Sequence, residues 1–192
     1  MDIIILIMKI LSGKYKGRNF YMPASIRPSQ NIIRKAIFDI IGHDLAGLSF
    51  LELFSGSGAV GLEAISLGAG EVVMIEKDAK CHSVIEENIT LLKLDPYDKD
   101  RPKIETYCMD AFVAVKRFSE KKRKFDLVFI DPPFGRELAK KALNLLSRYD
   151  ILQPNCTVIV EHPKREILPE KAGRFSCFRQ KMYGSSVLSL YK

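Results

Sequence analysis

Short apolar runs alternate with amphipathic stretches along most of the chain. Between the runs, apolar residues recur at helical spacing, which predicts helices at about residues 59–67, 79–93, 111–119 and 137–148. The apolar runs predict five strands, which are Phe50–Phe54, Glu71–Glu76, Lys103–Cys108, Phe125–Ile130 and Thr157–Glu161. Because strands separated by helices form right-handed βαβ units, this part of the chain predicts an α/β fold with a doubly wound, mostly parallel sheet.

The N-terminal segment has a different pattern. An apolar stretch runs through Leu11, a turn-rich basic segment covers residues 12–18, and a second short stretch, Asn19–Met22, precedes a proline. Two short strands around a turn predict a small β-hairpin extension over residues 1–28.

The main domain is predicted to span residues 29–192. It opens with a helix at Gln30–Ile41, where isoleucines and an alanine recur on one face. It closes with an antiparallel hairpin, since Phe175–Met182 and Val187–Tyr191 flank a Gly-Ser-Ser turn.

Composition and charge indicate the kind of partner that the protein could bind. The 192 residues are 47% hydrophobic and 28% charged, as in an ordinary globular domain, and the formal net charge is +7. Seven basic residues and one acid lie within residues 1–35, so this segment holds +6 of the total. A basic segment on a nearly neutral body indicates either a polyanionic partner bound at one end or a solvated charged face.

The rare residue types exclude several classes of site. The four cysteines and three histidines show no ligand spacing, so we expect no metal site and no disulfide framework. The apolar run at residues 3–8 is too short to span a membrane and follows an acid. We therefore expect a cytoplasmic protein with no membrane partner.

A glycine-rich loop follows the first predicted strand of the main domain. Residues 51–61 read LELFSGSGAVG, so that a strand leads through Gly56 and Gly58 into a helix. Twenty residues after Gly56, Glu76 ends the next strand, where a carboxylate can accept from both hydroxyls of a ribose. This spacing predicts nucleoside binding, and the alternative is a tight turn without a ligand.

Two further acids, Glu52 and Asp110, help to distinguish a nicotinamide cofactor from S-adenosylmethionine. Glu52, at the end of the strand, could reach a ligand ammonium but would repel the pyrophosphate of a nicotinamide cofactor. Asp110 and Ala111 follow the third strand, where an acid and an apolar residue could hold an adenine, although Asp110 could equally cap a helix. These details favour S-adenosylmethionine.

A second motif, Asp131-Pro132-Pro133-Phe134, ends the fourth strand. The prolines fix the turn, so the Asp131 carboxylate and the Pro132 carbonyl can both point outward. Two adjacent acceptors match the two hydrogens of an exocyclic amino group, and Phe134 offers a face on which a base can stack. The motif predicts a site for a base with an amino group.

Taken together and in this order, these motifs resemble the amino-group methyltransferases, most closely the RsmD-type 16S rRNA guanine-N2 methyltransferases. The matching segments run along nearly the whole chain and are Lys9–Arg18, Arg27–Ser29, Arg34–Phe38, Glu52–Glu63, Asp131–Phe134 and Lys181–Gly184. Ser29 stands where the family usually has Thr, and Glu52 where it usually has Asp. The familiar start lies near Met8, which makes Met8 an alternative to Met1 as the translation start.

The resemblance implies a Rossmann-like class I methyltransferase with a seven-stranded sheet. It also implies S-adenosylmethionine as methyl donor, S-adenosylhomocysteine as product and 16S rRNA as acceptor, within a small ribosomal subunit or assembly intermediate, bound by a monomer. The catalytic residues would be Asp131, Pro132 and Phe134. The cofactor-binding residues would be Glu52, Phe54, Gly56, Ser57, Gly58, Gly61, Glu76, Lys77, Asp110, Ala111 and Asp131. The RNA-binding residues would be Lys14, Lys16, Arg18, Arg27 and Arg34.

The geometry expected of the basic segment is specific. Lys14, Lys16 and Arg18 alternate, so they would share one face if they lay on a strand, and Tyr15 between them would either stack on RNA or pack inward. Three other functions remain compatible with parts of the pattern. They are methylation of another amino group (adenine N6, cytosine N4 or protein glutamine), a nicotinamide-dependent oxidoreductase, and RNA binding without catalysis.

Overall fold

The computed structural model describes residues 5–23, 31–135 and 137–192, so Arg27 and the predicted boundary at residues 28 and 29 lie outside the described residues. Five helices are described: α1 (Asn31–Ile41), α2 (Ala59–Ser66), α3 (Ala79–Leu91), α4 (Ala111–Glu120) and α5 (Leu138–Leu146). The strands are β1 (Ile5–Lys9), β2 (Asn19–Pro23), β3 (Ser49–Leu53), β4 (Glu71–Glu76), β5 (Lys103–Cys108), β6 (Phe125–Ile130), β7 (Leu152–Pro163), β8 (Lys171–Ala172), β9 (Phe175–Tyr183) and β10 (Ser186–Tyr191).

The main sheet has the order β5-β4-β3-β6-β7-β10-β9-β8. Its first five strands are parallel, and β10, β9 and β8 add to them in antiparallel fashion. The doubly wound α/β fold and the closing hairpin are therefore confirmed. The strand order reverses at β3, and the crevice beyond the carboxyl end of that strand is where such sheets bind ligands.

Two details of the sheet differ from the expectation. The family's seven strands are joined by an eighth, the two-residue strand β8, which pairs with β9 at the edge. Strand β7 begins at Leu152, five residues before the predicted start, and includes Pro154. The register between β6 and β7 shifts at this point, and such an irregularity accommodates a proline that cannot donate to the ladder.

The sheet separates two apolar cores. Helices α4 and α5 cover one face, and α1, α2 and α3 pack on the other. The N-terminal hairpin, which consists of β1, β2 and the turn between them, contributes Ile10, Tyr15 and Phe20 to this second core, and each is at most 4% exposed. The hairpin therefore forms its own two-stranded sheet but shares the core of the main domain.

A buried ion pair fastens the N-terminal hairpin to the domain. The Glu63 carboxylate on α2 accepts from the backbone N–H groups of Leu11 (2.7 Å) and Ser12 (3.3 Å). It also lies 3.1 Å from the Arg34 guanidinium of α1, and both side chains are 1% exposed. Arg34 in turn donates to the carbonyl of Lys9 at 2.6 Å. One carboxylate thus joins the hairpin, α1 and α2.

The basic residues of the hairpin lie in its turn. Residues 10–18 connect the two strands, so Lys14, Lys16 and Arg18 lie in the turn and not on a strand. Lys14 forms an ion pair with Asp98 at 2.5 Å, and Arg18 donates to the Leu92 carbonyl. Tyr15 packs inward, beneath the guanidinium of Arg18, which lies 4.8 Å from the centre of its ring.

Candidate active site

A cavity of about 460 Å³ opens at the carboxyl ends of β3 and β6. The glycine-rich loop lines one part of it, and the Asp131–Phe134 motif lines another. This volume is within the range of small-molecule sites. The two motifs that the sequence singled out therefore border one continuous space.

The side chain of Ser55 holds the glycine-rich loop in place. Phe54, directly after β3, has a φ of 62°, a left-handed conformation that is uncommon for a large side chain. The Ser55 hydroxyl donates to the Glu52 carbonyl (3.0 Å) and accepts from the Ile75 N–H (2.9 Å). These bonds tie the loop to β4 and stabilise the strained turn that places Phe54 against the cavity.

Glu76 at the end of β4 reaches the same loop. Its carboxylate accepts from the Gly56 N–H and from the Asp78 N–H, both at 2.8 Å. The carboxylate borders the cavity and is partly exposed. Both of its oxygens are oriented by the backbone, and each retains acceptor capacity for a ribose hydroxyl.

Glu52 lies deeper, with 3% of its surface exposed. Its carboxylate accepts from the Gly61 N–H at 2.9 Å, close to the start of α2. Burial raises the pKa of Glu52 to about 8 because the charged form loses its hydration, although the Gly61 and Val60 N–H groups oppose this shift. A Cβ on Gly61 would lie 2.6 Å from the Met74 sulfur and 2.8 Å from this carboxylate, so a larger residue would displace one or both side chains.

The Asp131–Phe134 motif forms the opposite side of the cavity. The Asp131 N–H donates to the Leu53 carbonyl at 3.4 Å, which holds the start of the motif beside β3. Pro132 is buried, and Phe134 is 38% exposed. Asp131 lines the cavity, and the partly exposed ring of Phe134 lies where the cavity meets the surface.

Several lining residues were not predicted. Met22 of the N-terminal hairpin and Ile33 of α1 form a wall, and Glu161 and Ser186 line the cavity from β7 and β10. The sequence signals were weak, because Met22 and Ile33 resemble ordinary core residues. Glu161 did carry a signal, since it is an acid that ends an apolar strand run.

Asn88 connects strand β2, which carries Met22, to the glycine-rich loop. This fully buried side chain accepts from the Tyr21 N–H (2.7 Å) and donates to the Tyr21 carbonyl (2.8 Å). It also donates to the Ser57 carbonyl at 3.0 Å. A single amide on α3 thus connects β2 with the glycine-rich loop, and no pattern in the sequence pointed to it.

The structure also places the remaining residues that were predicted to bind the cofactor or RNA. Asp110 and Ala111 are not among the described residues that line this cavity, and one oxygen of the Asp110 carboxylate caps α4 through the Phe112 N–H at 2.8 Å. Gly58 and Gly61 pack behind the loop against Met74. Arg34, predicted as an RNA contact, is buried in the ion pair with Glu63 and lines the cavity.

The charges of the cavity fit S-adenosylmethionine better than a nicotinamide dinucleotide. The acids among its described lining residues are Glu52, Glu76, Asp131 and Glu161. Of the two basic residues described there, Arg34 is neutralised by Glu63, which leaves Lys77, a predicted cofactor-binding residue, against these acids. A pyrophosphate would face these carboxylates, whereas an ammonium and a sulfonium would be attracted to them. Glu52, Glu76 and the backbone of the glycine-rich loop would hold the amino-acid and ribose parts.

Neither a metal-binding cluster nor a membrane-spanning helix is present among the described residues. Residues 5–23, 31–135 and 137–192 contain no group of three or more acidic, histidine or cysteine side chains placed to hold a metal ion. In the same ranges, every helix is too short or too polar to cross a membrane.

Comparison with known proteins shows likeness over nearly the whole chain. A Bacillus subtilis (strain 168) protein named "Putative rRNA methyltransferase YlbH" is 30% identical over 187 residues, which cover 96% of this chain and 98% of that one. "Ribosomal RNA small subunit methyltransferase D" of Escherichia coli K12 is 28% identical, with coverage of 96% and 89%.

Solved structures show the same likeness. A hypothetical protein of Thermus thermophilus has a TM-score of 0.81 and 30% identity, and the match covers 95% of this chain and 98% of that chain. A T. thermophilus 16S rRNA N2 methyltransferase (RsmC), solved with AdoMet and guanosine, has a TM-score of 0.75 at 18% identity; the match covers 51% of that chain and supports the fold alone. The family model described as "Conserved hypothetical protein 95" matches residues 8–192, and the chain therefore belongs to this family, that of the RsmD-type methyltransferases.

Proposed function

We propose that this protein transfers the methyl group of S-adenosylmethionine to the exocyclic N2 amino group of a guanine in small-subunit ribosomal RNA. The observation that carries the proposal is the single cavity bordered by both the glycine-rich loop and the Asp131–Phe134 motif. Family membership supports the methyltransferase reaction on rRNA, because relatives over nearly the whole chain are named for it.

The binding of the methyl donor follows from the loop. Glu52 and Glu76 would attract its ammonium and ribose hydroxyls, and Met22 and Ile33 close the cavity from the hairpin side. The donor supplies a sulfonium methyl that is reactive without metal assistance. The protein therefore contributes mainly position, since holding two reactants in line can supply roughly 7–11 kcal/mol.

The acceptor side orients the amino group. A guanine N2 lone pair is delocalised into the ring and is a poor nucleophile. The Asp131 carboxylate and the Pro132 carbonyl would accept its two hydrogens, so that the lone pair faces the methyl group. As positive charge develops on nitrogen, the anionic Asp131 stabilises it. Phe134 would stack on the base at the mouth of the cavity.

The turn of the N-terminal hairpin would contact the RNA backbone. Lys14, Lys16 and Arg18 are exposed there, and the hairpin also forms a wall of the cavity through Met22. A phosphate contact at the turn would therefore lie on the same structural unit as the substrate site. Arg27 remains a proposed contact outside the described residues.

The test uses labelled S-adenosylmethionine with small ribosomal subunits that lack the modification, beside naked 16S rRNA. After digestion, we expect label in N2-methylguanosine with at least one of these substrates. Asp131→Ala is expected to lower the rate by about 10²–10³-fold, because a stabilising charge at the reacting nitrogen is lost.

The control for this variant is Asp150→Ala, since the Asp150 side chain is 73% exposed and lies outside the cavity lining. It should leave the rate unchanged, and both variants should still bind S-adenosylhomocysteine. Label in another nucleoside would retain the methyltransferase and overturn the acceptor. Cofactor binding without methylation of either RNA would favour a protein acceptor or binding alone.

A further inference from the structure

The ends of β6 and β7 place a second carboxylate beside Asp131. These strands are parallel, and Ile130 pairs with Val160. Asp131 follows directly after β6 and Glu161 is the next residue of β7, so the two positions continue this register at the ends of strands that lie about 4.8 Å apart. Residues that are paired in this way point to the same face of a sheet.

That face is the one that borders the cavity. Phe129 and Ile159, the preceding pair on the same face, belong to the core covered by α1, α2 and α3. Glu161 lines the cavity although it is only 4% exposed, and Ser186 from the neighbouring strand β10 lines it as well. Glu161 is thus a buried carboxylate on the acceptor side, and the proposed methyl transfer does not use it.

The chemistry of guanine fits two adjacent carboxylates. Its pairing edge presents three neighbouring donor hydrogens, two on N2 and one on N1. Adenine and cytosine each present an amino group beside an unprotonated ring nitrogen, which is an acceptor. An ionised carboxylate is acceptor-only, so it bonds to the N1–H of guanine and repels the ring nitrogen of the other two bases.

We infer that Glu161 is a specificity residue that accepts the N1–H of the target guanine while Asp131 and Pro132 hold its amino group. The inference rests on the proposed function and deepens it, since it identifies the side chain that selects guanine over adenine and cytosine. A buried polar group that loses its partner is costly, so a base without this hydrogen is rejected.

The test compares two bases at the methylated position, once that position has been mapped with wild-type protein. Subunits are reconstituted with 16S rRNA that carries either guanosine or 2-aminopurine there. The analogue keeps the 2-amino group but has no hydrogen on N1. Wild-type protein should prefer guanosine in kcat/KM by roughly 10- to 100-fold, the discrimination typical of a matched base contact.

Glu161→Gln should reduce this preference to within about threefold, because a neutral amide can donate to the unprotonated N1 of the analogue. The matched control is Glu170→Gln, which makes the same change at an exposed residue outside the cavity lining and should keep the wild-type preference. Glu161→Asp retains the carboxylate and should also keep the preference, at a lower rate. Binding of S-adenosylhomocysteine and the melting temperature verify that each variant is folded.

Two results would overturn the role of Glu161. One is equal methylation of both bases by wild-type protein, and the other is an unchanged preference in Glu161→Gln. Failure of the proposed function would be seen earlier and separately, as the absence of N2-methylguanosine in the mapping reaction with wild-type protein.

Discussion

Glu52 shows how one buried acid can couple ligand binding to a proton. Burial raises its pKa to about 8, so without a ligand it is mostly protonated at neutral pH. Its carboxylate nevertheless lines the cavity beside the glycine-rich loop. A cationic ligand group there would favour the charged form, and binding would then release a proton.

We therefore expect the affinity for S-adenosylhomocysteine to depend on pH. Because Glu52 must lose its proton to pair with the ligand ammonium, binding should tighten by up to about tenfold per pH unit as pH rises from about 6 to 8, and then level off. Calorimetry in buffers of different ionisation enthalpy measures both the affinity and the released proton.

The unfolding free energy of the unliganded protein should depend on pH with the opposite sign to ligand binding. The folded state holds the Glu52 proton more tightly than the unfolded chain does, so the unfolding free energy should fall as pH rises toward about 8. The slope for one group is at most about 1.4 kcal/mol per pH unit. Glu52→Gln should remove both pH dependences, and a variant with the wild-type pH profile of binding would contradict this role.

Residue types with a special backbone or charge requirement could be predicted from the sequence. Gly56, Glu76 and Asp131 were found because a tight loop and acids at strand ends form a recognisable order, and all three border the cavity. Met22 and Asn88 could not be found in this way. Their roles depend on contacts between distant segments, since Asn88 lies 67 residues from Tyr21 of the hairpin and 31 from Ser57 of the loop.

At the scale of elements, most strands and helices were predictable because their hydrophobic periods are unambiguous. Strands β4, β5 and β6 have the predicted bounds. The beginning of β7 was missed because Pro154 and Asn155 are typical of a turn, and only the register shift against β6 accommodates them in a strand. Strand β8 has two residues and no periodicity to detect.

The attachment of the N-terminal hairpin depends on Glu63. Glu63→Ala removes the acceptor of two backbone N–H groups and leaves Arg34 buried without its counter-charge. Breaking a buried pair in this way typically costs about 3–5 kcal/mol. We expect a loss of this size in the unfolding free energy and faster amide exchange at Leu11 and Ser12, both measured on the unliganded protein.

A surface ion pair serves as the control for this prediction. Lys35 and Asp39 are 2.7 Å apart on α1, with side chains 66% and 41% exposed. Asp39→Ala should therefore change the unfolding free energy far less than Glu63→Ala does. An equally small effect of Glu63→Ala would show that the hairpin is held by its apolar contacts alone.

Across the whole molecule, charge is separated by region. Residues 1–35 hold +6 of the net +7, whereas the cavity beneath the hairpin is bordered by acids. The basic turn would attract RNA phosphates, and the acidic cavity would repel them while accepting the donor hydrogens of a base. Charge separation of this kind directs the backbone to the surface and the base to the cavity.

The resulting prediction is a graded salt dependence of binding to small ribosomal subunits. Lys16 has no ion-pair partner within the described ranges, whereas Lys14 is already paired with Asp98. If Lys16 contacts one phosphate, Lys16→Ala should lower the magnitude of the slope of log K against log salt by about 0.7–0.9. Lys14→Ala should have a smaller effect, because a phosphate must first displace Asp98.

The control residue is Lys141, which lies on α5, on the opposite face of the sheet. Lys141→Ala should leave the slope unchanged. Equal slopes for the lysine variants of the turn and for Lys141→Ala would place the RNA on another surface.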